Sequence, residues 1–145
     1  MTSFNNNNFL ENVMTNPVFN YTSSNSYGLS NVGFQAHPTL VDIDGDNDLD
    51  AFIGDYYGDV QFFRNTGTIN NPVFASLITN PFGLKNVDSP ANPTFVDIDG
   101  DGDPDAFIGD GSGNTLFFRN TGTATNPAFA APSANPFGLS DVEFS

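Results

Sequence analysis

Two short segments of the chain place aspartate at every second position. They read DIDGDNDLD at 42–50, here called the first acidic loop, and DIDGDGDPD at 97–105, the second acidic loop. Carboxylates at alternate positions of a turn converge on one point, and the glycines and asparagine between them permit positive φ angles. The pattern predicts two cation sites, with the ligands Asp42, Asp44, Asp46, Asp48 and Asp50 in the first and Asp97, Asp99, Asp101, Asp103 and Asp105 in the second.

The donor types indicate which cation would bind. The chain has no cysteine, and its one histidine, His37, lies outside both loops, so zinc is disfavoured. Calcium takes six to eight oxygen ligands at variable angles and suits a flexible loop better than magnesium does. The alternative is a solvated turn that binds nothing, because Asp and Gly are common turn residues. The recurrence of the same spacing argues against that alternative.

Charge and composition narrow the range of partners. The formal net charge is −14, with only three Lys and Arg residues, which argues against nucleic acid and anionic membrane surfaces as ligands. There is no apolar run long enough for a transmembrane helix, so we expect no membrane insertion. The first residues lack the basic and apolar regions of a signal peptide.

An internal repeat organises the chain. When the sequence is shifted by 55 residues, 33 of the 53 positions from 38 to 90 are identical to their partners. The predicted divisions are an Asn-rich, flexible start at 1–8, a partial repeat without an acidic loop at 9–37, and full repeats at 38–92 and 93–145. Self-similarity at this period is typical of stacked structural units.

Each repeat unit predicts four short strands, so the fold class is all-β. In the second unit the strands are expected at 94–98, 105–109, 115–119 and 126–130, because these runs are aromatic or β-branched and lie between turn residues. Four strands at this period are typical of a β-propeller blade, and a solenoid or a sandwich fits less well. We expect the repeated phenylalanines to form the core between blades.

Two units and part of a third cannot close a propeller, which needs about four to eight blades. Either the chain associates with copies of itself or it is a piece of a longer protein. Our first hypothesis is a cyclic homo-oligomer, in which three chains supply six blades. The partial repeat would then add an outer strand across the boundary between chains.

The loop spacing also excludes an EF-hand. That motif needs a bidentate Glu at position 12 and flanking helices, but the chain has Ile53 and Ile108 there. The D-x-D-x-D-x-x-x-D loop between strands resembles the FG-GAP or VCBS repeat of integrin-type β-propellers. The resemblance implies calcium ligands from the side chains of Asp42, Asp44, Asp46 and Asp50 with the carbonyl of Asp48, and from those of Asp97, Asp99, Asp101 and Asp105 with the carbonyl of Asp103. Because the partial repeat has no such loop, we expect two calcium ions per chain.

Two aromatic residues stand outside the repeat pattern. Tyr56 and Tyr57 occupy a turn where the second unit has Gly111 and Ser112, so the blade does not require them. Exposed aromatic side chains can stack on sugar rings or anchor a protein partner. Local packing of the turn is the simpler interpretation.

Three basic side chains are expected to be structural. Arg64 and Arg119 recur after the paired phenylalanines, and we expect them to pair with Asp55 and Asp110. His37 has no nucleophile beside it in the sequence and is expected in a surface loop.

The functional expectation is a structural or binding module and not an enzyme. The resemblance implies adhesion or carbohydrate binding, and an extracellular or cell-surface location where calcium is millimolar. The alternative is a propeller-type hydrolase or lyase with its active site in the central channel. An enzyme would need unrepeated catalytic groups, whereas most carboxylates here belong to the repeated loops.

Overall fold

The computed structural model describes residues 24–140, and these form strands joined by turns. The strands are β1 (His37–Val41), β2 (Asp50–Gly54), β3 (Val60–Phe63), β4 (Ile78–Thr79), β5 (Asn92–Val96), β6 (Asp105–Gly109), β7 (Thr115–Phe118) and β8 (Ser133–Ala134). Three 3-10 turns lie at Ser26–Gly28, Pro81–Gly83 and Pro136–Gly138. The predictions for 1–23 and 141–145 fall outside the described residues.

The strands form two four-stranded antiparallel sheets, which confirms the all-β class and the four strands per unit. The first sheet has the order β1-β2-β3-β4 and the second β5-β6-β7-β8. The pairing repeats with the 55-residue offset, since His37 lies opposite Gly54 and Asn92 lies opposite Gly109. His37 therefore begins an edge strand and does not lie in a surface loop as predicted. No helix among residues 24–140 is long and apolar enough to cross a membrane.

The fourth strand of the second unit was predicted at the wrong place. Residues 126–130 form only isolated bridges, and the strand that pairs with β7 is the later, two-residue β8. The side chain of Asn120 explains the difference, because its Oδ1 accepts hydrogen bonds from the N–H groups of Gly122 and Ala128, both at 3.0 Å. A side-chain amide thus takes the place of a strand partner and closes this segment as a loop.

The hydrophobic core lies between the two sheets. Phe52 and Phe62 of the first sheet pack together with a centroid distance of 4.7 Å, and Phe52 contacts Phe95 of the second sheet at 4.4 Å. Phe52 is fully buried, and burial of one such side chain contributes about 2–3 kcal/mol. The expectation that repeated phenylalanines fill the space between units is confirmed for this interface.

A 3-10 turn connects each unit to the next through the backbone. The carbonyl of Phe82 accepts a hydrogen bond of 2.7 Å from the N–H of Phe129, and Tyr27 accepts one of 2.8 Å from Phe74 in the same way. Gly83 permits the close approach, because a Cβ there would lie 2.7 Å from the Phe129 oxygen. Its φ of 98° also suits glycine alone among common residues.

Candidate metal centres

Both acidic loops connect the first two strands of their sheet. The first runs from the end of β1 to Asp50, the first residue of β2, and the second runs from the end of β5 to Asp105, the first residue of β6. Strands hold both ends of each loop, so the last aspartate is fixed by the sheet while the others follow the turn.

The first aspartate of each loop organises the turn. The carboxylate of Asp42 accepts hydrogen bonds from the N–H groups of Gly45 at 2.7 Å, Asp46 at 3.2 Å and Asn47 at 3.0 Å. Gly45 and Asn47 adopt positive φ angles of 73° and 70°, which wrap the backbone around that carboxylate. In the second loop the carboxylate of Asp97 accepts equivalent bonds from 100–102.

The carboxylates converge in both loops. Oxygens of three residues lie within 4.8 Å of one another in each, so that each cluster could hold a metal ion. The three are Asp42, Asp44 and Asp46 in the first loop, and Asp97, Asp99 and Asp105 in the second. The remaining predicted ligands, Asp48, Asp50, Asp101 and Asp103, lie in the same loops but outside these triplets.

Buried oxygens without partners test whether a cation fits the first loop. Asp44 Oδ1, Asp48 Oδ1 and Asp50 Oδ2 are buried and accept no hydrogen bond. Asp50 is only 1% exposed, and Asp44 and Asp48 are each 8% exposed. Leaving buried carboxylate oxygens unpaired is costly, and a cation bound in the loop would offset that cost. The first loop therefore fits a cation with oxygen ligands, and the side chain of Asp48 is available as well as its carbonyl.

The electrostatics of the loops agree with this geometry. Burial raises the pKa of Asp50 to about 6, against the lowering effect of the Asn65 N–H and with a smaller contribution from the charge of Asp44. Burial also raises the pKa of Asp44, and the Arg64 guanidinium opposes that shift. Desolvation and then the neighbouring carboxylates raise the pKa of Asp48 and of Asp103. Each upward shift means that desolvation and neighbouring carboxylates disfavour the charged form of that aspartate.

The arginine pairing differs from the prediction. Arg64 forms an ion pair with Asp44, and Arg119 forms one with Asp99. The antiparallel register explains this, because the end of β3 lies beside the start of β2, on the same side as the acidic loop. Asp55 lies at the opposite end, where its carboxylate accepts bonds from the N–H groups of Tyr57 and Asp59 and closes that turn.

Sequence reasoning missed two asparagines that position predicted metal ligands. The N–H of Asn65 donates to Asp50 Oδ1, and the N–H of Asn120 donates to Asp105 Oδ1, both at 2.7 Å. These bonds fix one oxygen of the last aspartate in each loop. The other oxygen of Asp50 accepts no hydrogen bond, whereas Asp105 Oδ2 accepts one of 3.4 Å from the N–H of Ile98. The repeated Phe-Phe-Arg-Asn sequence was the available signal, since it recurs at the same distance after each loop.

The aromatic pair lies at the end of the sheet opposite the acidic loop. Tyr56 and Tyr57 make an edge-to-face contact at 5.5 Å and are 47% and 61% exposed. With Phe34 and Gln35 they line an open groove of about 360 Å³. Phe34, which sequence reasoning did not identify, is joined to the pair because its carbonyl accepts a bond of 2.9 Å from the Tyr56 N–H.

Comparison with known families agrees with the predicted repeat. Residues 42–108 match the family model described as FG-GAP-like repeat, which confirms the resemblance over the first acidic loop, the rest of the first sheet and the second loop. This segment of the chain is therefore similar to the FG-GAP-like repeats. Searches of curated proteins and of solved structures found no match to the chain.

Proposed function

We propose that this chain, with its FG-GAP-like repeats, is a calcium-binding module of β-propeller blades that has a structural or binding role. The observation that carries the proposal is the set of three buried, unpartnered carboxylate oxygens in the first acidic loop. Oxygen ligands in a turn of variable geometry favour calcium over magnesium, which demands a near-octahedral shell. The recurrence of the loop supports two ions per chain.

The ion's role in this proposal is to stabilise the blade. Two carboxylates about 4 Å apart repel by roughly 4 kcal/mol at an effective dielectric constant near 20. A calcium ion would offset that repulsion within each cluster and join the start of the loop to the second strand. A ligand at 100 times its Kd adds about 2.7 kcal/mol to the free energy of unfolding.

A structural or binding role is supported over an enzymatic one. FG-GAP repeats are typically non-enzymatic and extracellular, and calcium is millimolar outside cells. Within residues 24–140, every aspartate with a shifted pKa belongs to a repeated acidic loop, which favours ion binding over an unrepeated catalytic centre. The competing proposal, a propeller-type hydrolase or lyase, therefore has less support.

Calcium binding is tested by calorimetric titration of chelator-treated protein. We expect two calcium ions per wild-type chain and one per chain for each of Asp50→Asn and Asp105→Asn, with little heat from magnesium at the same concentration. Wild-type protein that binds no calcium, with an unfolding temperature that chelator leaves unchanged, would overturn the proposal.

The groove lined by Phe34, Tyr56 and Tyr57 favours a second, compatible role. Three exposed aromatic side chains around one groove can stack on sugar rings or anchor a protein ligand, as the implied adhesion or carbohydrate-binding role would need. Binding to a glycan array in calcium should be lost in Tyr57→Ala, while the unfolding temperature changes little. An unchanged array profile would remove the groove as a glycan site.

A further inference from the structure

Two of the three 3-10 turns bond to the unit that follows them, and we call each such contact a junction. In one junction the Tyr27 carbonyl accepts a hydrogen bond of 2.8 Å from the N–H of Phe74, and in the other the Phe82 carbonyl accepts one of 2.7 Å from the N–H of Phe129. The donors are 55 residues apart, and so are the acceptors. A junction is therefore a property of the repeat.

The third turn, at Pro136–Gly138, makes no junction within the described residues. Its central residue, Phe137, is 71% exposed, and a Cβ at Gly138 would meet nothing within 4 Å. At the corresponding Gly83, a Cβ would lie 2.7 Å from the oxygen of Phe129. The third turn therefore offers an acceptor and room for a donor segment.

The side chains around the third turn form an apolar surface. Phe117 contacts Phe137 edge-to-face at a centroid distance of 5.3 Å. Leu139, directly after the turn, is 49% exposed, whereas the corresponding Leu84 is 2% exposed in the core between the units. We call Phe117, Phe137 and Leu139 the open face of the second unit. Grouped apolar side chains at a surface are typical of a site that binds another protein segment.

The partial repeat at the start of the chain contains a matching donor segment. Residues 16–19 read Asn-Pro-Val-Phe, identical to 71–74 and one residue different from 126–129. The last of them, Phe19, is therefore at the position of the donor in both junctions. It also precedes the acceptor Tyr27 by eight residues, the spacing found within each full unit. Residues 16–19 lie outside the described residues, so their assignment comes from the repeat.

The donor and the acceptor of one unit lie on opposite sides of that unit. In the first unit, Phe74 meets the turn of the partial repeat, while Phe82 meets the second unit. By the same arrangement, Phe19 would lie on the side of the partial repeat that faces away from the first unit. Leu29 and Val32 would keep their places against the first sheet. The donor segment would therefore reach the third turn of another copy and not that of its own chain.

We propose that the open face of the second unit binds residues 16–19 of another copy of the chain, with the Phe137 carbonyl accepting a hydrogen bond from the Phe19 N–H. The side chain of Phe19 would cover the open face in the way that Phe129, which is 7% exposed, packs in the core between the units. The proposal rests on the interpretation of the units as propeller blades in the proposed function. Such a contact runs head to tail and forms a closed ring if the rotation fits.

Two variants of the full chain and their mixture test the contact by sedimentation velocity in saturating calcium. Phe19→Lys removes the donor side chain and Phe137→Lys places a charge on the open face. Each change lowers the net negative charge, so added repulsion cannot explain a loss. Wild-type protein should self-associate, and each variant alone should associate about thirty-fold more weakly. An equimolar mixture should form a one-to-one dimer, because each variant keeps the side that the other has lost.

A third variant, Gly138→Asn, acts on the docked state alone. Gly138 has a φ of 84°, in the left-handed region that asparagine tolerates, and an added Cβ has free space in the single chain. In a junction the same Cβ would approach the oxygen of the donor residue, as at Gly83. The variant should keep an unfolding temperature close to that of the wild type at low protein concentration, and it should associate at least about ten-fold more weakly.

Matched controls change similar residues elsewhere. Gly33 also has a positive φ, of 97°, and a Cβ there would approach only the Tyr57 ring, at 4.0 Å. Gly33→Asn and Tyr57→Lys should therefore associate like the wild type. Leu139→Lys and Phe19→Ser replace a variant of the same side that fails to show a wild-type circular dichroism spectrum.

Four results would overturn the contact: wild-type protein that stays monomeric up to about 1 mM, a lysine variant that associates like the wild type, a mixture that stays monomeric, or Gly138→Asn that associates like the wild type. Calcium titration is read separately, because none of the changed residues is a predicted ligand. Absence of calcium binding with the expected variant pattern would reject the proposed metal sites alone. Two bound ions per chain in protein that stays monomeric would reject the contact alone.

Discussion

The two acidic loops share seven of nine residues but differ in their surroundings. Ile43 of the first loop is 1% exposed, whereas Ile98 at the same position of the second is 49% exposed. Asp44 is 8% exposed, while the side chain of Asp99 is 29% exposed. Among residues 24–140, all buried carboxylate oxygens without a partner lie in the first loop.

The difference in burial comes from the unit that packs beside each loop and not from the sequence of the loop. The second unit covers the first loop, and nothing in the described chain covers the second loop in that way. Burial of an identical ligand set changes its electrostatics, because charge is less well solvated in the covered loop. The sequence motif therefore specifies the carboxylates of each candidate site, whereas the adjoining unit determines how deeply they are buried.

Truncation of equivalent phenylalanines should give the largest difference between the two units in the free energy of unfolding. Phe52→Ala removes a fully buried ring and is expected to lower the free energy of unfolding by about 3–5 kcal/mol. Phe107→Ala, at the equivalent position of the second sheet, should lower it by about 1–2 kcal/mol in monomeric protein, because this ring is only partly buried. Urea denaturation at low protein concentration measures both. Equal losses would mean that Phe107 is as well covered as Phe52 in the monomer.

Replacement of one predicted ligand in each loop should change the free energy of unfolding by amounts that differ between the loops and depend on calcium. In saturating calcium, Asp50→Asn should lower the free energy of unfolding by about 2–3 kcal/mol, since one bound ion is lost. Asp105→Asn should lower it less, because the second loop is more exposed. In chelator, Asp50→Asn should be neutral or stabilising, because it removes an unpartnered buried charge. Thermal unfolding in both buffers checks this, and a loss in chelator as large as that in calcium would contradict it.

The pH dependence of the metal-free protein follows from the raised pKa of Asp50. A folded-state pKa of about 6, above the ordinary value of 3.8, means that the folded state binds more protons between these values. Stability in chelator should therefore increase as the pH falls from 7 to 5, by on the order of 1 kcal/mol after solvent screening.

Calcium should reverse that trend, because bound calcium requires deprotonated carboxylates and protons compete with it. Thermal unfolding across this pH range, with and without calcium, measures both slopes. In Asp50→Asn, the increase in stability in chelator as the pH falls should become smaller. An unchanged dependence of stability on pH would assign the effect to other groups.

Removal of the two arginine ion pairs should give the smallest difference in stability between the two units. Both arginine side chains are 55% exposed, so their ion pairs contribute less than about 1 kcal/mol each. Arg64→Ala should destabilise metal-free protein slightly more than Arg119→Ala, because Arg64 pairs with a buried carboxylate. Chemical denaturation in chelator measures the difference. A larger effect for Arg119→Ala would indicate that the second loop is the more buried one.

Local sequence patterns predicted the strands that hold the acidic loops. Alternating aspartates, turn glycines and the aromatic runs after them depend on residues close in sequence, and the repeat provided each signal twice. The fourth strand was misplaced because the Asn120 side chain closes a loop that reads as an extended run. The predicted partner of Arg64 was wrong because an ion pair forms only between residues at the same end of the sheet, and Arg64 lies at the end that carries the acidic loop.

The unequal burial of the two loops could not be predicted from either loop. It depends on which unit packs beside each one, a property of the tertiary arrangement. The aromatic groove was only half predicted for the same reason, since Phe34 joins Tyr56 from a segment more than 20 residues earlier.

The backbone bond from Phe129 to Phe82 has a consequence for how such a chain evolves. Both partners lie at corresponding points of the repeat, so each 55-residue copy carries one donor, one acceptor and the glycine that lets them meet. An in-frame tandem duplication of the coding segment would add a unit together with its own joint. The number of units can then change by whole units, because each new unit already contains the residues of its interface. Selection can act on the number of units before it acts on any single residue.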